Sequence, residues 1–586
     1  MSDTLAFSRS TEDLSAGLSR HGTLRSRRTK IIYWLVAAIV LLIIGGPFIP
    51  LIYQSFTDKP LYDVGEQFTL ANYYNVLTSD EFRGAALNSL IFAVLSTIVS
   101  QVVGALQAIC LARTNMPFKG LIAATVLTPL FLSPPVLVFG WEVVYGPAGY
   151  ATALVRNALG FEPWVLESML GMALVGGVMH APITFLFCRG AVALADPSME
   201  EAARSCGASP MRIVWRITIP LLLPAITFSG MINFTNSLES LSVPLILGEP
   251  AGIQLLMPLL YKMVYGQVGA DYGVAASAAL MFLTIVALLL YLQTYVIGDT
   301  NRYTSVTGKA SRQGLFDLGR FRWVVFLVVG GYGLVFLAVP MLGIFVRAFV
   351  TVLTPLIPVW EVLSLENFEF VAGSERFRRA VTNSVVLASG GGLIVVGFAA
   401  VTALICYRSE FRYRRLLEYL AMVPRAVPGM IGGIAFLYTI LLVPGVGALR
   451  STLVIFIIAY TAKFLPTALG TIFPNITKIG KDLDRSSRIM GADWWTTARC
   501  ILFPLMIPAL FSAYVLVFVQ IIREYSMALF LVAPGAEVMS ISILQAWIQG
   551  DVGLVAAMST IQTAIIALFL LAANMISRVA FKAGAL

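Results

Sequence analysis

Apolar runs at 31–50, 90–111, 274–292 and 561–576 each pass without a single charged residue. An α-helix rising 1.5 Å per residue needs about 20 apolar residues to cross the ~30 Å hydrocarbon layer of a bilayer. Strands of a membrane barrel would alternate apolar and polar positions with a period of two, which these unbroken blocks do not. Nor does a soluble core in a chain of 586 residues need 58% hydrophobic residues, only 12% charged ones and a mean hydropathy of +0.85. The chain reads as an all-α polytopic membrane protein. About twelve spans are predicted, at 31–53, 86–111, 121–145, 167–190, 219–247, 273–297, 323–347, 381–406, 417–442, 451–473, 504–532 and 553–577.

The net charge of +9 invites a nucleic-acid reading, but its placement argues for a membrane instead. Arg20, Arg25, Arg27, Arg28 and Lys30 precede the first predicted span, Arg302, Lys309, Arg312, Arg320 and Arg322 separate the sixth from the seventh, and Arg408, Arg412, Arg414 and Arg415 follow the eighth. Positive residues gathered in alternate loops mark the cytoplasmic side, so both termini are expected there. Residues 1–30 read as a disordered basic tail, 579–586 as a second short tail. The first apolar run lacks a small-x-small cleavage site and is expected to be retained. Cys110, Cys188, Cys206, Cys406 and Cys500 have no CxxC spacing and read as inert thiols.

The chain is written twice. "TLANYYNVL" at 69–77 resembles "SLENFEFVA" at 364–372, and "FRGAALNSLIFA" at 82–93 resembles "FRRAVTNSVVLA" at 377–388. Both pairs are offset by 295 (377 − 82), whereas Gly207 and Gly491, Pro220 and Pro504, and Pro224 and Pro508 are offset by 284 (491 − 207). The eleven-residue contraction (295 − 284) is placed where "VVYGPAGYATALVRNALGFEPW" faces the shorter "LLVPGVGALR". Six spans lie between corresponding points, and an even number returns the chain to the same side. Two parallel six-helix repeats, 31–297 and 323–578, follow, related by a pseudo-two-fold axis along the membrane normal and joined by a cytoplasmic linker at 298–322.

Between two apolar segments lies "MEEAARSCGASPMRIVWRITIPLLLPAI". Asp196-Pro197 is a cap followed by proline at the first helical position. Glu200 and Glu201 then sit near the positive end of a two-turn helix, and Gly207 is placed to stop it in the left-handed conformation. Ser209-Pro210 starts a second helix, expected at the interface, with Pro220 and Pro224 breaking or bending the entry to the next span. In the second copy Gly491 keeps the corner and Asp493 the cap, while Asp484, Arg485, Ser486 and Ser487 replace Glu200, Glu201, Ala202 and Ala203.

Glu201-Ala202-Ala203, Gly207, Ile217 and Pro220, with Ile219 where leucine is usual, resemble the EAA loop of permeases in binding-protein-dependent ABC importers. The likeness covers nearly all of the chain after residue 30, twice, and is closest in kind to fused permeases of the ferric-iron, thiamine and aminoalkylphosphonate group. It implies a transmembrane subunit of a bacterial inner-membrane importer of type I fold. Glu200, Glu201, Ala202, Ala203, Gly207, Asp484, Arg485 and Gly491 are the implied coupling residues. The implied partners are two ATP-binding cassette ATPase subunits and a periplasmic or lipid-anchored substrate-binding protein, with ferric ion the leading cargo ahead of thiamine, phosphonates, polyamines and sugar phosphates. The chain itself has no GxxxxGK[ST] phosphate loop, so ATP and Mg belong to those subunits and no cofactor or metal is expected here. Reversal of sign at Arg485 implies that the two loops dock unequally.

Ionisable residues inside spans mark pathways or internal ion pairs. Glu239, Ser240, Arg523 and Glu524 occupy corresponding positions at offset 284 and read either way. Arg425, among Pro424, Pro428 and Gly429, reads as an attractive residue beside a broken helix or as a carbonyl-satisfying kink. His180 reads as a packing residue, and Glu142 and Lys463 as groups near a membrane surface or paired locally. No HExxH, GxSxG or zinc-type cluster is present, which leaves no case for an enzyme. A gradient-driven secondary transporter with parallel repeats is the alternative, kept open by Glu239 and Glu524.

Overall fold

The computed structural model describes residues 29–60, 63, 65–194, 198–265, 271–297 and 317–582. Most of the two tails and of the linker, His21 and the Asp196-Pro197 start lie outside them. Among the described residues no strand forms, only two isolated antiparallel bridges, Thr57 with Phe68 and Val350 with Leu363. Ten helices among the described residues are long and apolar enough to cross a bilayer. They pair between halves: Thr29–Ser55 with Phe321–Ala348, Asp80–Arg113 with Glu375–Arg408, Met169–Ala193 with Leu453–Lys478, Pro210–Leu238 with Trp494–Ile522, and Tyr272–Leu289 with Val552–Ala580.

The spans predicted at 121–145 and 417–442 are not straight. Lys119–Leu130 meets Pro134–Leu159 at 110°, and Arg414–Ala426 meets Gly429–Leu442 at 106°. Ser133 before Pro134 and Val427 before Pro428 are both extended, as the ring of a following proline favours, and proline supplies no N–H to carry the helix on. Twelve crossings result only when each bent pair counts as one. The predicted contraction falls in the first pair, where the helix Tyr150–Leu159 has only the single turn Val446–Leu449 as its counterpart.

The fifth span of each half differs from expectation at both ends. It stops at Leu238 and at Ile522, with the charged residues Glu239 and Arg523 at the break that follows. It starts at Pro210 and Trp494, so the helix expected to lie at the interface is continuous with the span. A π-helical turn, Val214–Thr218 or Ala498–Leu502, ends two residues before Pro220 or Pro504, and its wider bonding absorbs the proline without a break.

The repeated strings have structural reasons. Asn72 donates to the Ser55 and Thr57 carbonyls at 3.1 and 2.8 Å, and Asn367 to those of Ala348 and Val350 at 3.1 and 3.2 Å, closing the end of each first span. In "NS", Ser89 accepts the Leu256 N–H at 2.9 Å and Ser384 the Met539 N–H at 2.8 Å, each at the first residue of a short helix after the fifth span (Leu256–Tyr265, Met539–Ile548).

The halves also exchange arms. Thr29–Ser55 packs on the second half, with Tyr33 against the rings of Trp494 and Phe411 at 5.0 and 5.7 Å. Phe321–Ala348 packs on the first, where Tyr145 donates to the Val335 carbonyl at 2.7 Å. Asn115 donates to Asp317 at 2.6 Å; the Gly319 N–H and this amide hold the Asp317 carboxyl below its usual range.

Within the first half, Asp80–Arg113 and Met169–Ala193 touch through small residues. A Cβ on Gly104 would lie 2.6 Å from the Ala181 carbonyl oxygen. Gly104→Val is therefore expected to force the helices apart and cost about 1–3 kcal/mol, read as a lower unfolding midpoint of the purified chain; an unchanged midpoint would contradict the close approach. These two helices and Pro210–Leu238 share a buried polar seam. Asn233 donates to Ser100 and Thr184, each at 2.9 Å, and Ser237 to Ser96 at 3.1 Å. In register, the second half has Val517, Val395, Ala468, Ile521 and Gly391.

Candidate functional site

Two features stand out in both halves: a glycine corner at one end of each fifth span and a shared cavity at the other. The first corner follows the helix Ser198–Ser205. Gly207 has φ +78° and Gly491 +84°, a region that only glycine enters without strain. The Ala208 N–H reaches back to the Ala203 carbonyl at 3.0 Å and the Ala492 N–H to that of Ser487 at 3.1 Å, the bonding of a Schellman stop. Ser209 then accepts from the Arg212 N–H at 3.4 Å and Asp493 from the Thr496 N–H at 2.9 Å, so both predicted caps form. Glu201 and Ala202 are exposed, Ala203 half-buried, and Ile489 and Met490 stand 84% and 87% exposed beside Gly491.

Glu200 is a correction. Grouped with Glu201 as a docking residue, it is only 2% exposed and faces inward, where its carboxylate meets Arg113 (1% exposed) at 3.4 Å and accepts from Thr218 at 3.0 Å. Neighbouring residues on a helix point about 100° apart, so Glu200 and Glu201 cannot share a face. Asp484 repeats the arrangement: it pairs with Arg408 at 3.1 Å, and Arg408 also donates to the carbonyls of Ile476 (2.6 Å) and Ile479. Arg113 and Arg408 are each the last residue of a second span, offset by 295. Each corner is thus tied to its own half by an ion pair, fully buried in the first half and with a half-buried Asp484 in the second, while Arg485, at the position of Glu201, is exposed and pairs with Asp482 at 3.6 Å. Trp494 is buried and donates to the Arg408 carbonyl at 2.9 Å.

At the other end of the fifth spans, a cavity of about 480 Å³ opens between the halves. Glu239, Ser240, Arg425, Arg523 and Glu524 all line it. The sequence did not single out Lys463 or His180 for this wall, yet both are part of it; their signal was register, since His180 follows Met179, the counterpart of Lys463. Glu524 is held by Lys463 at 2.7 Å, Ser526 at 2.8 Å and the Met527 N–H at 2.9 Å. Arg523 bridges to the first half by donating to the Leu130 carbonyl, at the break of the bent pair. Glu239 has no ion pair with Arg523, its counterpart; neither its side chain nor that of Arg425 has a hydrogen bond or ion pair among the described residues.

Residues 102–301 and 319–583 each match the family model described as binding-protein-dependent transport system inner membrane component. The chain belongs to this family. It is a fused, multi-pass permease carrying the family unit twice. The ferric transport system permease protein FbpB of Actinobacillus pleuropneumoniae is 28% identical over 545 residues, covering 91% of this chain and 76% of that protein. The putative ferric transport system permease protein FbpB 1 of Haemophilus influenzae is 28% identical over 491 residues, 81% and 74% of the two chains. The putative 2-aminoethylphosphonate transport system permease protein PhnU of Salmonella typhi is 27% identical over 227 residues, 38% and 78%. A chain from the crystal structure of a bacterial alginate ABC transporter in complex with an alginate pentasaccharide-bound periplasmic protein aligns with 44% of this permease and 93% of itself, at 20% identity and a TM-score of 0.37.

Proposed function

We propose that this permease forms the translocation pathway of an ATP-driven importer whose cargo is ferric ion. Two ATP-binding cassette subunits, which hold the ATP and Mg, dock on the corners at Gly207 and Gly491 from the cytoplasmic side, where both termini also lie. A periplasmic or lipid-anchored binding protein delivers cargo at the opposite face. The observation that carries this reading is mechanical. Each corner runs without a break through Pro210–Leu238 or Trp494–Ile522 into Glu239 or Arg523 on the cavity wall. Closure of the ATPase dimer draws the corners together and tilts both helices, and the cavity turns outward; hydrolysis returns it. The names of the relatives, two of them ferric transport permeases, support the cargo.

Co-purification of ATPase subunits with the full chain, and hydrolysis stimulated by a loaded binding protein, test this directly. Gly207→Asp strains a residue held at φ +78° by about 1–2 kcal/mol and adds negative charge at the negative end of a helix. Glu201→Lys reverses an exposed charge at the docking face. Each is expected to lower ATP-coupled uptake roughly tenfold or more, the equivalent of 1.4 kcal/mol, with membrane insertion intact. Unchanged uptake in both would remove the coupling role.

A further inference from the structure

We propose, on the basis of the permease reading above, that the cavity accepts its cargo as an oxyanion or an oxyanion-bound complex, against a wall formed by Arg425 and Arg523. The cavity is electrically lopsided. Its three cations, Arg425, Lys463 and Arg523, all come from the second half, and the positions in register in the first half are Leu130, Met179 and Glu239. Lys463 is closed off by Glu524. Arg523 commits one donor to the Leu130 carbonyl, leaving the rest of a five-donor fork. Arg425 is exposed and free of side-chain partners among the described residues. Against these two cations stands one unpaired carboxylate, Glu239.

A bare ferric ion does not suit this wall. It is a hard trivalent cation that requires several oxygen anions, and among the described residues no group of three or more His, Cys, Asp or Glu is placed to hold a metal. Guanidinium forks instead match the paired oxygens of phosphate, phosphonate or carboxylate. A volume of about 480 Å³ suits a small molecule or a metal–oxyanion complex. Iron then crosses with its oxyanion attached, and an organic phosphonate crosses by its oxyanionic end.

The test is equilibrium dialysis of the purified full chain in nanodiscs against ³³P-phosphate, alone and with ⁵⁵Fe(III). Retention of phosphate is expected, weakened about tenfold or more by Arg425→Gln, which removes a charge-assisted bond but no hydrogen bond or ion pair within the described fold, and strengthened by Glu239→Gln. Phosphate held without iron assigns the free oxyanion as source; phosphate held only together with iron assigns the complex. Iron held without phosphate, more tightly in Arg425→Gln and less in Glu239→Gln, would overturn the proposal, as would retention of neither at millimolar concentration or indifference to both substitutions. Binding is read without ATPase subunits, so a failure of ATP-driven uptake would sink the importer reading separately.

Discussion

Arg113→Met is expected to destabilise the folded permease by about 3–5 kcal/mol, because it strands Glu200 as a buried, unpaired carboxylate. The two side chains are 1% and 2% exposed, and water reaches neither. Adding Glu200→Met is expected to return most of that stability, since an apolar pair avoids the desolvation of two charges that their attraction barely offsets. Coupling is expected to part company with stability. The ion pair fixes the helix Ser198–Ser205 on the end of Asp80–Arg113 in one orientation, whereas two methionines let it slide. In the assembled transporter, binding-protein stimulation of hydrolysis should therefore stay roughly tenfold down in the double variant, a loss of about 1.4 kcal/mol of coupling. Denaturant midpoints of the purified chain give the first quantity and steady-state hydrolysis the second. A single variant within about 0.5 kcal/mol of wild type would mean that Arg113 and Glu200 do not hold the corner.

What the sequence disclosed, and what it hid, divides along the range of the interaction. Apolar length placed the spans, because crossing hydrocarbon is a property of a segment and its own backbone bonds. Gly207 and Gly491, with caps at Ser209 and Asp493, were legible because turn chemistry is settled within a few residues. The prolines around Arg425 marked a broken or kinked helix there, but the size of the bends, near 110°, was not legible. A proline inside a membrane helix kinks or breaks it according to what satisfies the freed carbonyls, and here the Leu130 carbonyl is met by Arg523 from the other half of the chain. Lys463 and Glu524 likewise meet across 61 residues (524 − 463). The anchors were within reach: Arg113 and Arg408 share the offset of 295, and Glu200 and Asp484 that of 284, so comparing charges in register would have paired them. The buried polar seam of the first half, apolar in the second, is the clearest sign that duplicated halves have taken different tasks, and it too is visible only in register.

Lys463→Met is the second variant with a large expected effect, and its direction separates structural charge from pathway charge. Glu524 is 9% exposed and sits where the fifth span ends; its carboxylate accepts from Lys463, Ser526 and the Met527 N–H, while its carbonyl accepts from Ser540. Removing the lysine leaves two neutral donors, Ser526 and the Met527 N–H, on a buried charge, at a cost of about 3–5 kcal/mol. Glu524→Gln should be much milder. Lys463 is 20% exposed at the cavity wall, and its flexible stem lets the ammonium turn toward water. The pair of substitutions together should lie closer to wild type than Lys463→Met alone. Glu239→Gln removes a carboxylate that holds nothing in place, so its midpoint should stay within about 0.5 kcal/mol of wild type while its cargo affinity moves. If Glu239→Gln unfolds the chain as readily as Lys463→Met, then Glu239 belongs to the scaffold and the cavity keeps no free carboxylate for its cargo. If Lys463→Met is harmless, the ion pair is not what orders the end of the fifth span, and the Ser526 and Met527 bonds to Glu524 suffice.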